Sequence, residues 1–116
     1  MKYEKFKIIN LVKDLIINID RNLENFPHKE IELKKEIKKS GYDLLLVVYE
    51  GNVTTNMKKR QDMQEKAIAK LKYIDFLINT CYDKQIINGK KYLRFGENIE
   101  NIIRYIVALK NANKAI

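Results

Sequence analysis

The segment KKYLRFGENIENIIRYIVALKN, residues 90–111, places Tyr92, Phe95, Ile99, Ile102, Ile106 and Leu109 at steps of three and four. Such spacing puts all six side chains on one stripe of an α-helix and leaves polar residues on the other side. Three earlier stretches repeat the pattern. Phe6, Ile9, Val12, Ile16, Ile19 and Leu23 form the first stripe, and Leu33, Ile37, Leu44 and Val48 the second. Ala67, Leu71, Ile74, Ile78 and Cys81 form the third. Four long amphipathic helices with short connections imply an all-α domain, an antiparallel up-down-up-down four-helix bundle over residues 1–116.

The helix limits follow from the punctuation. The first helix is expected over Tyr3 to Asn25, closed by Phe26-Pro27, because the residue before a proline is pushed out of the helical region. The second is expected from His28 or Lys29 to Asn52, with Glu30 and Glu32 suiting its positive end. Thr54, Thr55 and Asn56 are cap formers and mark the turn into a third helix, Met57 to Asp83. Asn88-Gly89 is a turn signal, followed by a fourth helix from Lys90 to Asn111. Gly96 inside that helix costs about 1 kcal/mol relative to alanine, and the last few residues are expected to fray.

The second helix carries more apolar surface than one stripe. Leu44 to Tyr49 is apolar around the whole circumference, and a monomer buries only one broad stripe of each helix. Ile17 also points away from its own stripe. These features predict a second buried face against another subunit, with Ile17, Leu45, Leu46 and Tyr49 as the interface residues.

Composition narrows the chemistry. The chain has 116 residues, one cysteine and a formal charge of +8, with a pI near 9.5. A single cysteine excludes a disulfide framework, and Cys81 falls on an apolar stripe. No apolar run approaches a membrane span, and lysines interrupt the N-terminus where a signal peptide would be apolar; a cytoplasmic protein is expected. Di-iron bundle sites require Glu-x-x-His pairs, but Asn25 stands three residues before the single histidine, His28. No metal ligands, cofactor-binding residues or catalytic residues are therefore assigned. Arg21 and His28, separated by six residues, loosely resemble the Arg-x(4–6)-His signature of helical HEPN ribonucleases, which is the lesser alternative.

The basic excess favours polyanions, nucleic acid first. Ile and Asn are also abundant, and a low-G+C genome would inflate lysine together with them, so charge counts only where it clusters. Lys59, Lys66 and Lys70 fall within about 40° of one another at 100° per residue, with Tyr73 on the same side. Lys34 and Lys38 form a flanking pair. Lys58, Lys59 and Arg60 make one basic corner; Lys90, Lys91 and Arg94 make another at the opposite end of the bundle. These residues are the candidate nucleic-acid surface.

The run Phe26-Pro27-His28-Lys29, followed by Leu33, Ile37 and the apolar block ending in Tyr49-Glu50-Gly51, resembles a family of bacterial four-helix-bundle proteins. It includes the accessory variability determinant of diversity-generating retroelements and the proteins encoded by intervening sequences in 23S ribosomal RNA genes. Ala67, Lys70-Leu71, Ile74 and Leu77-Ile78, then Tyr92 and Ile99-Glu100-Asn101-Ile102, continue the likeness from about Phe6 to Leu109. The resemblance implies a homo-pentameric ring and a non-enzymatic accessory that binds nucleic acid, RNA or DNA, and a reverse transcriptase. The chain departs from the retroelement branch at Ile31-Glu32-Leu33-Lys34 and in lacking tryptophan, and Tyr49-Glu50-Gly51 is nearer the ribosomal-insertion branch. For that branch the alternative is a structural protein–protein interaction module with no nucleic-acid role.

Overall fold

A computed structural model describes residues 2–112, with side chains from Lys7 to Ala112. The side chain of Phe6 and the final residues 113–116, where fraying is expected, lie outside the described part. Four helices account for most of the described residues: α1 (Lys2–Asn22), α2 (Ile31–Val53), α3 (Met57–Asp83) and α4 (Gly89–Asn111), with one 3₁₀ turn at His28–Glu30. Among the described residues there is no strand. Each helix touches its neighbours in the chain, and α1 closes on α4; among the described residues α1 does not meet α3, nor α2 meet α4. The four helices therefore form a square, 44 × 23 × 19 Å over its principal axes.

Local chemistry places the ends. The last three residues expected in α1 are a turn instead. Leu23 N–H still donates to Ile19 O at 3.0 Å, but Pro27 is extended at φ −60°, ψ 137°, and the chain must leave the helix to reach it. Buried Leu23 and Phe26 pin this exit to the core. Glu30 N–H then donates to Pro27 O at 3.0 Å, closing the 3₁₀ turn that precedes α2. Glu30 gives α2 no side-chain cap; its carboxylate meets Lys84 Nζ at 3.0 Å.

Asn56 and Asn88 cap α3 and α4, accepting from Lys59 N at 2.9 Å and Lys91 N at 2.8 Å. Each satisfies a backbone donor that a helix start leaves unpaired. The turn signal at Asn88-Gly89 thus marks a cap rather than the reversal itself. The chain turns at Gln85, φ 61°, the single left-handed residue among those described. Ile86 N–H donates to Cys81 O at 2.8 Å and Gln85 N–H to Tyr82 O at 3.0 Å, the paired bonds of a Schellman ending, usually made with glycine.

The core is the shared interior of the square. Val12, Leu15, Ile37, Leu44, Leu71, Ile74, Ile102 and Ile106 are among its buried members, each contributing about 1.5–3 kcal/mol by leaving water. The α1 stripe is rotated slightly from its expected centre: Ile8 and Leu15 are fully buried, while Ile16 is half-buried. Ile16 packs tightly on α2: a Cβ on buried Gly41 would stand 3.2 Å from Ile16 Cγ1.

Two stability outcomes follow, both measurable by chemical denaturation. Leu71→Ala should lower the unfolding free energy by about 2–5 kcal/mol, as cavity-forming core truncations do. Gln85→Gly should raise it by about 1 kcal/mol, because glycine removes the left-handed strain that an L side chain carries.

Candidate functional site

The basic residues singled out in the sequence do not form one patch. Lys38 reaches Asp20 on α1 at 3.6 Å, and Lys34, one turn earlier, shares that flank of α2. Glu36, on the opposite flank, accepts the Tyr73 hydroxyl of α3. That bond, with burial and the carboxylate's charge adding to it, holds the Tyr73 proton above the ordinary tyrosine range. Lys59, Lys66 and Lys70 share the Tyr73 side of α3, so the outer face of α2 separates them from Lys34 and Lys38.

The two basic corners lie at opposite ends of α3, a 27-residue helix about 40 Å long. In the first, Lys58 is bonded to Asp62 at 2.8 Å, which raises its pKa. Arg60 is half-buried, and its Nη2 donates to Thr54 O at 3.1 Å, stitching the α2–α3 turn. Lys59 is exposed and has no ion pair among the described residues. In the second corner Lys90 and Arg94 are exposed and Lys91 is half-buried. Among the described residues none of the three is ion-paired.

The second corner belongs to a composite end of the molecule. Lys91 and Arg94 line a small crevice with Asn18, Asn22 and Phe95, so the close of α1 sits beside the start of α4. Tyr82 and Tyr92 stack with centroids 4.3 Å apart and planes 9° from parallel, joining the close of α3 to the same place. The Lys84–Glu30 pair brings in the start of α2. Arg21, Lys29, Lys84, Lys90, Lys91 and Arg94 gather at this end against Glu24, Glu30 and Asp83.

An apolar ridge is the other prominent surface. Tyr42, Leu46, Tyr49 and Val53 are 57, 60, 39 and 78 % exposed. They stand at steps of four, three and four, roughly half a turn from core-facing Leu44. Of the block read as apolar all round, Leu44, Val47 and Val48 are buried in the chain's own core, and Leu45 is half-buried against it. Leu46 and Tyr49 are exposed. Ile17 is exposed too, one turn before the Asp20 through which α1 reaches α2. Tyr42 and Val53 are absent from the expected interface set, although the helical period connects them to Leu46 and Tyr49.

Arg21 is exposed on the last turn of α1, and exposed His28 opens the 3₁₀ turn beyond extended Pro27. They sit on separate elements. No cluster of three metal-ligating side chains occurs among the described residues, and no described helix is long and apolar enough to cross a membrane. Cys81 is buried; burial, with the nearby charge of Glu30, pushes its thiol up to about 11. No protein-family model matches the chain, and a search of curated proteins finds no significant relative.

The thiol supplies a pH test. Below pH 9 Cys81 is protonated in both the folded and the unfolded chain. Above pH 9 the unfolded chain loses the proton first, so this contribution to stability should fall between pH 9 and about 11. Cys81→Ser should flatten that part of the stability profile measured by urea denaturation, and native Cys81 should resist thiol reagents at pH 8 until the protein is unfolded.

Proposed function

We propose that this chain is a non-enzymatic accessory protein, a self-associating basic bundle that binds nucleic acid without reading its sequence. The observation that carries the reading is the composite basic end, where Lys90, Lys91 and Arg94 stand without acidic partners among the described residues. Amines and guanidinium groups so placed bind phosphates and leave base edges unread. The likeness around Phe26-Pro27-His28-Lys29 and Tyr49-Glu50-Gly51 supports the same reading, adds a reverse transcriptase as protein partner, and gives five as the number of subunits in a closed ring. The ridge on α2 supports self-association independently of that likeness.

The helices alternate in direction in this reading. Its support is that Glu30 at the start of α2 meets Lys84 beyond the close of α3, while Thr54 beyond the close of α2 meets Arg60 near the start of α3. That register ranks the basic surfaces. From the Tyr73–Glu36 bond, heptad steps bring Lys66 level with Asp43 and Lys59 level with Glu50. Carboxylates level with the α3 strip reduce its positive field, and in this reading the α4 end dominates binding.

A second reading, a protein–protein interaction module without a nucleic-acid role, is favoured by the ridge alone. Titration of RNA and DNA at two salt concentrations separates the two. Affinity should fall steeply with salt as counterions are released. Lys90→Glu, Lys91→Glu and Arg94→Glu together should weaken binding across sequences and lower the salt slope by roughly one for each phosphate that is no longer neutralised. The matching triple change at Lys59, Lys66 and Lys70 should weaken it less, with circular dichroism unchanged in both. RNA should stay intact throughout; cleavage abolished by His28→Ala would establish the ribonuclease alternative instead.

A further inference from the structure

The turn from α3 to α4 forms a second space beside the basic end. Tyr82, Asp83, Gln85, Asn88 and Lys91 are among the residues lining an open hollow of about 740 Å³. Lys91 also lines the crevice that holds Arg94, so hollow and crevice adjoin across that one side chain.

Tyr82 is the aromatic wall of the hollow. Its ring stacks on Tyr92 with centroids 4.3 Å apart and planes 9° from parallel, and Tyr92 does not line the hollow. A Cβ built on Gly89 would stand 4.0 Å from Tyr82 Cε1 and Oη, so the start of α4 borders the edge of the ring. One face and one edge are held in this way, yet Tyr82 is 42 % exposed. The exposed part is turned away from Tyr92, toward the hollow.

Charge separates the two spaces. The hollow has one cation, Lys91, and one carboxylate, Asp83; its other lining side chains are neutral. Such a space suits an uncharged planar ring better than a phosphate. In the crevice Lys91 and Arg94 stand with Asn18, Asn22 and Phe95 and no carboxylate, which suits a phosphate.

We propose that this end of the molecule takes a single strand: an unpaired base lies on the open face of Tyr82, and the adjoining phosphates meet Lys91 and Arg94. The proposal rests on the reading that the basic end binds nucleic acid, and it names the class of nucleic acid. Bases inside a duplex are paired and stacked, and turning one out costs unstacking and unpairing. A single strand presents its bases at far lower cost. Every base has a π-face, so stacking adds affinity without reading sequence, in agreement with cations that read no base edges. The Tyr92 stack also fixes the Tyr82 ring before a strand arrives, so little side-chain freedom remains to be lost on binding.

Fluorescence titration tests this, because the chain has no tryptophan and Tyr82→Trp supplies one indole at the platform. Three probes are compared: a short single-stranded DNA, the same strand annealed to its complement, and a strand of the same length built from abasic sites. The single strand should quench the indole emission as a base covers the ring. The duplex and the abasic strand should bind with little quenching. Tyr82→Leu keeps an apolar side chain and removes the π-face. It should bind the single strand roughly tenfold more weakly and the abasic strand as the wild type does, with circular dichroism unchanged; Tyr82→Phe should restore single-strand affinity. Equal single-strand affinity of wild type and Tyr82→Leu, with no quenching in Tyr82→Trp, would overturn the platform and leave the basic end as a phosphate site. Failure of the wild type to bind any of the three probes at low salt would overturn the nucleic-acid reading itself. Should Tyr82→Leu not fold, the quenching comparison decides alone.

Discussion

Burial of one aliphatic stripe from each of four helices is the constraint on which everything else here depends. Helices owe most of their stability in proteins to packing of an apolar face. Closing the square satisfies all four stripes together. It also brings the close of α1 and α3 beside the start of α2 and α4, through the crevice at Lys91 and Arg94, the Tyr82–Tyr92 stack and the Lys84–Glu30 pair. The basic end of the molecule is therefore a by-product of core packing. Its cations are scattered along the sequence and meet because the stripes must.

α2 is the exception to that economy. Its inward face carries Ile37, Leu44 and Val48, and its outward face carries Tyr42, Leu46, Tyr49 and Val53. The heptad-like spacing of the outward set is that of a helix–helix seam, continued toward the N-terminus by Lys35 and Lys39. A core needs no such second seam. An exposed stripe of this size destabilises a lone molecule in water only slightly but promotes association strongly, since its burial is favourable whenever a complementary surface is supplied.

Much of the fold was legible in the sequence, and the reasons are local. Steps of three and four in apolar residues report the helical period directly, and Asn56 marked the start of α3 because a side-chain acceptor there satisfies a donor the helix leaves open. What was not legible depends on tertiary geometry. The 3₁₀ turn at His28–Glu30, closed by the Glu30 N–H bond to Pro27 O, sets Glu30 against Lys84, a partner 54 residues away that no local pattern announces. Gln85 takes a left-handed conformation that nothing in its side chain announces, because the hydrogen bonds closing α3 demand it. The lysine sites were harder still. Periodicity groups Lys59, Lys66 and Lys70 on one strip, but only the neighbouring helix reveals that Glu36 holds Tyr73 at the end of that strip. The same limit applies to Arg60, which looks like part of a basic corner and is turned in to hold the α2–α3 turn together.

The two surfaces would act on each other once the chain assembles. A single basic end offers three cations with no ion pair among the described residues, and binding to phosphate through so few groups is weak and easily screened at physiological salt. Repeating that end around a ring changes the arithmetic without adding any new interaction within a subunit. The first subunit to engage a strand raises the effective concentration of the others, and the binding free energies of successive ends begin to add. In that arrangement the apolar ridge would raise nucleic-acid affinity without itself touching a phosphate. The physical division lies in the chain itself: the exposed aromatic and aliphatic residues of the ridge are on the outer face of α2, and the cations at the start of α4 stand apart from them.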